Sequence, residues 1–395
     1  MKKMSNVGPY TIGIDATNLR AGGGVTHLME LLRATQPAQH EIHRIIVWGG
    51  KQTLKALEAQ PWLSKRNPSA MDKGLLQRTI WQRYRLSQAA RDEGCDVLFV
   101  PGGSYAGNFH PVVTMSQNLL PFEMHELRRY GWTLFTLKLL LLRLVQCRSF
   151  RKTDGVIFLT EYARDVVLRV TGRLRGQTCI VPHGLSPRFN RAPKLQHAIA
   201  EYDDAHPYRV LYVSIIDQYK HQWHVVEAVA ALRKQGFPIV LDLVGPAYPP
   251  AFKRLNQTID RLDFERRWVH YHGAIPFNEL HLRYAQADLG LFASSCENMP
   301  NILLETMASG LPIACSKRGP MPEVLAQAGV FFNPEQPEDI ARALRELIES
   351  PQIRTELARA SFERIQEYSW IRCADETFRF LVGVIQQRKK EVVNV

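Results

Sequence analysis

No stretch of 18 residues in this 395-residue chain is apolar enough to cross a bilayer, because the longest hydrophobic runs carry a Lys or Arg inside them. The opening MKKMSNVGPY has two lysines but no apolar segment behind them, so no secretory leader is expected. Cysteine is sparse and scattered, at Cys95, Cys147, Cys179, Cys296, Cys315 and Cys373, without C-x-x-C or a paired Cys/His spacing. That excludes a disulfide scaffold and a structural zinc site, and points to reduced thiols in a cytoplasm. Glycine (25) and proline (23) stay near average, which removes collagen-like and broadly disordered readings. The dinucleotide fingerprint G-x-G-x-x-G is missing, since His27 stands where its last glycine belongs, and no D-x-D occurs. His221 and His224 are three apart but lack a third ligand, which reads as a surface helix, and no metal site is expected.

What remains is 45% hydrophobic and 22% charged, the mix of a globular protein with sizeable cores. Short apolar runs alternate with amphipathic stretches throughout. Strands are expected at 11–14, 45–48, 97–100, 112–115, 156–159 and 180–181, then at 210–213, 239–244, 269–271, 289–292 and 312–315. Helical patterns lie between them, as at 27–32, 221–232, 279–285 and 340–349. Such alternation implies parallel sheets covered by helices on both faces. Residues 185–208 are polar and proline-spotted, and read as a linker. The expected organisation is therefore a Rossmann-like domain over 1–190, a second over 208–367, and a helix over 368–395 that packs back on the first.

The formal net charge of +12 sits in the front half, where residues 1–190 hold 26 Lys/Arg against 13 Asp/Glu. An acidic partner on that side follows: nucleic acid, anionic lipid headgroups or a phosphorylated substrate. The densest piece is Arg128–Lys152, with seven Lys/Arg, no acid, and apolar residues filling most of a helix. A basic helix with a broad apolar face can lie in an anionic membrane interface. No basic strand interleaved with aromatics occurs, so nucleic acid is not the expected partner.

Two segments carry chemistry. Gly22, Gly23 and Gly24 follow the first strand and precede a helix, the arrangement that brings backbone N–H groups to an anion. The richer one is SSCENMPNILLETMASGLPIACS, residues 294–316. Glu297 lies just past a strand, at the end where open α/β sheets bind ligands. Pro300 suits the first position of a helix, so Asn298 or Met299 is expected to cap it and aim several N–H groups outward. Glu305 follows on that helix, placed to accept hydrogen bonds from two sugar hydroxyls. Lys220, after a strand and a loop, suits a diphosphate, where an ammonium offsets charge on a leaving nucleotide.

The 294–316 segment resembles the E-x7-E signature of the group 1 (family 4) retaining glycosyltransferases, with Glu297 and Glu305 in the glutamate positions. Further matches run along nearly the whole chain. The glycine loop is similar to the family's acceptor-side and phosphate-side loop, and VPHGLSPRF to the turn closing its first domain. Lys220 in YKHQ stands where such enzymes hold the donor diphosphate. HGAIP resembles a loop that lines the nucleobase, and GPMPEV another typical piece.

The resemblance implies a GT-B fold, two Rossmann-like doubly wound domains facing across a cleft. It implies a hexosyltransferase that retains configuration and needs no metal or cofactor beyond a UDP- or GDP-sugar. In that assignment Glu297 and Lys220 act at the reacting centre. Glu305, Asn298, Met299, Pro300, Asn301, Ile302, Gly273 and Ala274 bind the donor. Gly22, Gly23, Gly24 and Asn118 form the acceptor or phosphate loop. A lipid-linked or lipopolysaccharide-type glycan at the cytoplasmic membrane face is the expected acceptor. Two positions depart from the pattern: Ile215 replaces a common arginine, and Gln117 and Asn118 stand where a His-Asp pair is frequent. Either the donor phosphate takes the acceptor's proton, or His125, Glu123 or Glu126 does. The competing readings are an inactive homologue that binds membranes or nucleic acid, and a nucleotide-sugar epimerase.

Overall fold

The computed structural model describes residues 10–20 and 22–393, so Lys2 and Lys3 lie outside the described residues. It divides into two units whose sequences interleave. The first comprises 1–122, 137–184 and 369–395, and the second 123–136 and 185–368. The split at 184/185 falls inside the VPHGLSPRF turn. A side chain at Gly184 would put its Cβ 2.1 Å from the backbone nitrogen of Trp370, so only glycine lets the two segments meet there.

The first unit is built on a seven-stranded parallel sheet ordered β3-β2-β1-β4-β5-β6-β7. Its strands are β1 (Tyr10–Asp15), β2 (Ile42–Trp48), β3 (Leu63–Arg66), β4 (Val97–Val100), β5 (Val112–Met115), β6 (Gly155–Phe158) and β7 (Gln177–Ile180). Six of them were expected from short apolar runs, the last at 180–181 where β7 runs Gln177–Ile180, and β1, β4, β5 and β6 are buried along their whole length. One cluster of the core joins Phe122, Phe150, Phe158 and Val167, and another joins Trp48, Leu86, Leu98 and Tyr105. The Trp370–Val393 helix packs on the Gly23–Ala34 helix.

The second unit repeats the plan with six strands ordered β10-β9-β8-β11-β12-β13. They are β8 (Tyr208–Val213), β9 (Ile239–Val244), β10 (Val269–Tyr271), β11 (Leu289–Phe292), β12 (Ile313–Ser316) and β13 (Val330–Phe332). In both sheets the first strand of the unit lies inside, and the order reverses beside it, between β1 and β4 and between β8 and β11. At such a switch point the connections leave in opposite directions and open a crevice at the carboxyl ends of the strands. The strands that sequence reading missed, β3 and β13, are edge strands. An edge strand has one neighbour and half-exposed faces, so LSKR needs no apolar run and VFF is too short to stand out.

The polar 185–208 segment is anchored by a buried cation. Arg354 is fully buried. Its Nη1 donates to the carbonyls of Leu347 and Ile348, at 2.8 and 2.6 Å, closing the Pro337–Glu349 helix. Its Nε donates to Gln196 Oε1 and its Nη2 to the His197 carbonyl, which pins the linker. A helix C-terminus is negative and leaves carbonyls unpaired, so the guanidinium satisfies both needs. Arg354→Met should destabilise the fold by about 3 kcal/mol in urea unfolding, since it orphans several buried acceptors. A change within about 0.5 kcal/mol would show that the linker is held by other contacts.

Candidate functional site

Lys220 follows β8 and Glu297 follows β11, so the two residues leave the strands that flank the second switch point. They meet directly: Lys220 Nζ donates to Glu297 Oε1. Lys220 is only 5% exposed. Its carbonyl accepts from the Tyr212 hydroxyl at 2.8 Å, and its ammonium lies over the Phe292 ring at 5.4 Å. The pair thus has a fixed backbone, an aromatic wall and little water. An ammonium held this way can stabilise charge that develops on a leaving oxygen.

The loop that carries Glu297 is braced from three sides. The Ser295 amide donates to the Tyr219 carbonyl at 2.8 Å, tying the two post-strand loops together. Ser295 Oγ donates to Glu126 Oε2 at 2.7 Å, and His221 Nε2 lies 2.9 Å from the same hydroxyl. His221 is wholly buried at the start of the Gln222–Arg233 helix, not on a surface helix as expected. Burial, with Arg129 next, drives its pKa down to about 2, so it is neutral and donates to Ser295. Arg129 donates to Glu126 at 2.7 Å and to Glu335 at 2.6 Å, and Tyr130 donates to Asp217 at 2.7 Å. These bonds hold Glu126 in the brace, with its carboxyl kept below the usual range against the cost of burial. Sequence reading listed Glu126 as a proton acceptor and did not find Ser295, Asp217 or Glu335. Nothing in local pattern ties residues 126 and 295 together.

Asn298, Met299 and Pro300 are buried, and Asn301 and Ile302 half-buried, on the turn into the Asn301–Ala308 helix. Pro300 is the cap and not the first helical residue, so the helix starts one position later than expected. Glu305 is buried, with its Oε2 3.3 Å from the Tyr284 hydroxyl. Burial pushes its pKa up to about 8, although the Tyr284 bond and the Arg188 charge pull it down. Gly273 and Ala274 form the loop after β10, where the Gly273 carbonyl accepts from the Gly245 amide at 2.8 Å.

Two sets of metal-ligating side chains come together in this unit, which the sequence did not foreshadow. Asp242 on β9 faces His270 on β10 and His272 just past its end, with ligand atoms within 4.8 Å of one another. His272 Nε2 lies 2.7 Å from Asp242 Oδ1, while Arg209 holds Oδ2 at 2.9 Å. His125, Glu126 and Glu335 also converge, but Arg129 already bridges both carboxylates.

In the first unit, Gly22 caps the Gly23–Ala34 helix, and a Cβ on Gly24 would lie 2.9 Å from Leu19 and 3.0 Å from Gln117 Oε1. The glycine loop therefore lies against Gln117, one of the two positions that depart from the His-Asp pattern. Gln117 Nε2 is 3.4 Å from His27 Nδ1, in a ring cluster where His27 and His183 lie 4.7 Å apart. His27 is 1% exposed, and burial holds it well below the usual histidine range. Asn118 Oδ1 accepts from the Leu120 amide at 3.1 Å and shapes the turn after β5.

Comparison with known proteins bears on these arrangements. Residues 200–364 match the family model described as glycosyl transferases group 1. The chain resembles the group 1 glycosyltransferases, and its fold is GT-B. Sucrose-phosphate synthase from Thermosynechococcus elongatus superposes with a TM-score of 0.71 at 17% identity, covering 98% of this chain and all of that one. WaaG, a glycosyltransferase of lipopolysaccharide biosynthesis, gives 0.67 at 15%, covering 94% and 100%. Anabaena HepE in complex with UDP and glucose gives 0.64 at 17%, covering 98% and 100%. Among curated proteins, sulfoquinovosyl transferase SQD2 of Arabidopsis thaliana is 30% identical over 128 residues. That match spans 30% of this chain and 25% of SQD2. The O-antigen chain mannosyltransferase B of Escherichia coli is 26% identical over 110 residues, 28% of this chain and 29% of the relative. The matched group 1 glycosyltransferase region contains Lys220, Glu297 and Glu305, while the glycine loop, Gln117 and Asn118 lie outside it.

Glu305 gives a direct check. Its value of about 8 in the folded chain exceeds the ordinary 4.5, so folding favours the protonated form. That stabilisation is complete below the unfolded value and is lost as pH rises toward 8. Glu305→Gln keeps the shape without the charge. Its stability relative to the parent should climb between pH 5 and 8, by at most about 1.4 kcal/mol per pH unit, in denaturant titrations. A difference that does not change with pH would place Glu305 in water.

Proposed function

We propose that this protein is a retaining hexosyltransferase that uses a UDP- or GDP-sugar, with mannose as the favoured sugar, and needs no metal. The observation that carries this reading is the Lys220–Glu297 pair at the carboxyl ends of β8 and β11, with Glu305 eight residues beyond Glu297. The group 1 match over the same residues supports it, as do the mannosyltransferase among the relatives and the UDP-bound neighbour in the fold comparison.

In this mechanism the Glu305 carboxyl holds the ribose hydroxyls, and the N–H groups of Asn298, Met299 and Ile302 together with Lys220 take the diphosphate. Glu297 orients the sugar hydroxyls beside the anomeric carbon. The bond from that carbon to the phosphate oxygen breaks, and its electron pair stays on the phosphate, where the Lys220 ammonium offsets the charge. The acceptor hydroxyl attacks from the face the nucleotide leaves, and its proton passes to the departing phosphate oxygen. No side-chain base is needed, which accommodates Gln117 and Asn118.

The first unit takes the acceptor, a lipid-linked or lipopolysaccharide-type glycan at a cytoplasmic membrane face. No helix among the described residues is long and apolar enough to cross a membrane. The Leu134–Lys152 helix instead supports attachment from one side. It exposes Leu134, Leu137, Leu141, Leu144 and Val145, with Lys138, Arg148 and Lys152 among them and no acid. Trp132 just before it is fully exposed. Arg129 belongs to the Glu126–Glu335 brace and so drops out of the basic stretch read from sequence.

Incubation with UDP-glucose or GDP-mannose should release one nucleoside diphosphate slowly even without acceptor, and EDTA should not change the rate. Lys220→Ala and Glu297→Gln should each lower turnover by about a hundredfold or more. A chain that binds nucleotide without turnover would be an inactive homologue, and one that converts the sugar while it stays nucleotide-bound would be an epimerase.

A further inference from the structure

β10 is an edge strand of the second sheet and only three residues long, so β9 is the one neighbour that can hold it. Its entry is fixed by Asp263, whose carboxylate accepts from the Arg267, Trp268 and Val269 amides at 2.9, 3.0 and 2.8 Å. Its exit reads His270-Tyr271-His272. Two residues apart on an extended chain, the histidines project from one face. The His272 amide donates to the Leu243 carbonyl at 2.9 Å, so the ladder with β9 runs past the last strand residue and keeps that alternation. Tyr271 points the other way, and its hydroxyl donates to the Gly245 carbonyl at 2.8 Å.

The register sets Asp242 of β9 directly beside His270. A carboxylate in the middle of a buried, otherwise apolar strand (IVLDLV) is costly unless its charge is answered. Arg209 answers one side, donating from Nη1 to Oδ2 at 2.9 Å. Oδ1 is turned to the two imidazoles instead, with His272 Nε2 at 2.7 Å and His270 Nδ1 at 3.6 Å. The second separation is too long for a hydrogen bond, so the His270 ring is aimed at the oxygen without being bonded to it. One carboxylate oxygen and one nitrogen from each ring thus converge within 4.8 Å of one another.

Two imidazole nitrogens and a carboxylate oxygen are the donor set of Zn2+ and its first-row neighbours, which hold such atoms at about 2.0–2.2 Å. Mg2+ and Ca2+ prefer oxygen alone. A neutral imidazole binds through the lone pair of one nitrogen and keeps its proton on the other, so each ring can serve without changing its charge. The imidazoles are 37% and 23% exposed, which gives an ion a way in and leaves room for water as a further ligand. Asp242 is buried, and Arg209 on its far oxygen fixes the direction of the near one, as outer partners of metal ligands do. The His125–Glu126–Glu335 group lacks this arrangement, because Arg129 and Ser295 already occupy its carboxylates.

We infer that Asp242, His270 and His272 form a binding site for a divalent transition metal of the Zn2+ type, which clips the edge strand β10 to β9. The clip is structural and stands apart from glycosyl transfer. Lys220 and Glu297 leave the strands beside the switch point, whereas these ligands belong to the outermost pair of the sheet.

The full-length protein, treated with EDTA and desalted, can be titrated with Co2+ in visible absorption and with Zn2+ in a calorimeter. One Co2+ per chain should bind with the intensified visible band of a low-coordinate nitrogen and oxygen site, and Zn2+ should displace it. His270→Ala and His272→Ala should each weaken Zn2+ by about tenfold or more. Both rings are partly exposed, so these variants keep the fold. Zn2+ should raise the thermal midpoint of the parent and raise that of either variant far less. His125→Ala should bind as the parent does. Absence of saturable one-to-one binding, unchanged affinity in both histidine variants, or loss of binding in His125→Ala would overturn the site. Zn2+ that binds without raising the midpoint would overturn the clip.

Discussion

Lys220 and Glu297 are 77 residues apart and both shielded from water, and each is tolerable there because of the other. Removing one would leave a nearly buried charge without its partner, which costs several kcal/mol. Their meeting depends on the sheet. Only a parallel sheet whose order reverses at β8 brings the loops after β8 and β11 side by side, and the Ser295–Tyr219 backbone bond locks those loops together. The brace through Ser295, His221, Glu126 and Arg129 then fixes the carboxylate's backbone from outside. In the proposed mechanism this pair is a case of electrostatic preorganisation: the ammonium is held in place with its charge answered by a carboxylate that substrate hydroxyls would share.

The first unit uses the same topology with the opposite electrostatics. Beside its switch point lies the buried guanidinium of Arg78, which has no carboxylate partner among the described residues, and the Leu134–Lys152 helix turns an apolar and basic face outward. The second unit thus has its charges matched at the corresponding place, and the first has an excess of positive charge. The sequence shows the same asymmetry at low resolution, with 26 basic against 13 acidic residues before position 190. The structure narrows that excess to particular side chains.

Most of the sheet framework was legible because parallel strands covered on both faces are continuously apolar, as β4 (VLFV) and β6 (GVIF) are. Edge strands escape that rule, and β3 and β13 were missed for this reason. Lys220, Glu297 and Glu305 were legible because they stand at fixed offsets from strands inside a dense local pattern. The brace was not, since it joins the 123–136 segment to residues 169 and 206 positions away. His221 was misread because its burial depends on a left-handed backbone at the helix start, which no periodicity reveals. Arg78 gave no signal either: one arginine among many in a basic half is distinguished only by its burial and the missing partner.

The central claim is that the Lys220–Glu297–Glu305 constellation holds a nucleoside diphosphate. Thermal unfolding of the parent and of Lys220→Ala with UDP, GDP, ADP, TDP and NAD tests it most directly. One nucleoside diphosphate should raise the parent's midpoint, with about 2.7 kcal/mol of stabilisation at a hundred times its dissociation constant. The same ligand should raise the variant's midpoint far less, and NAD neither. No shift with any diphosphate, or equal shifts in parent and variant, would contradict the account.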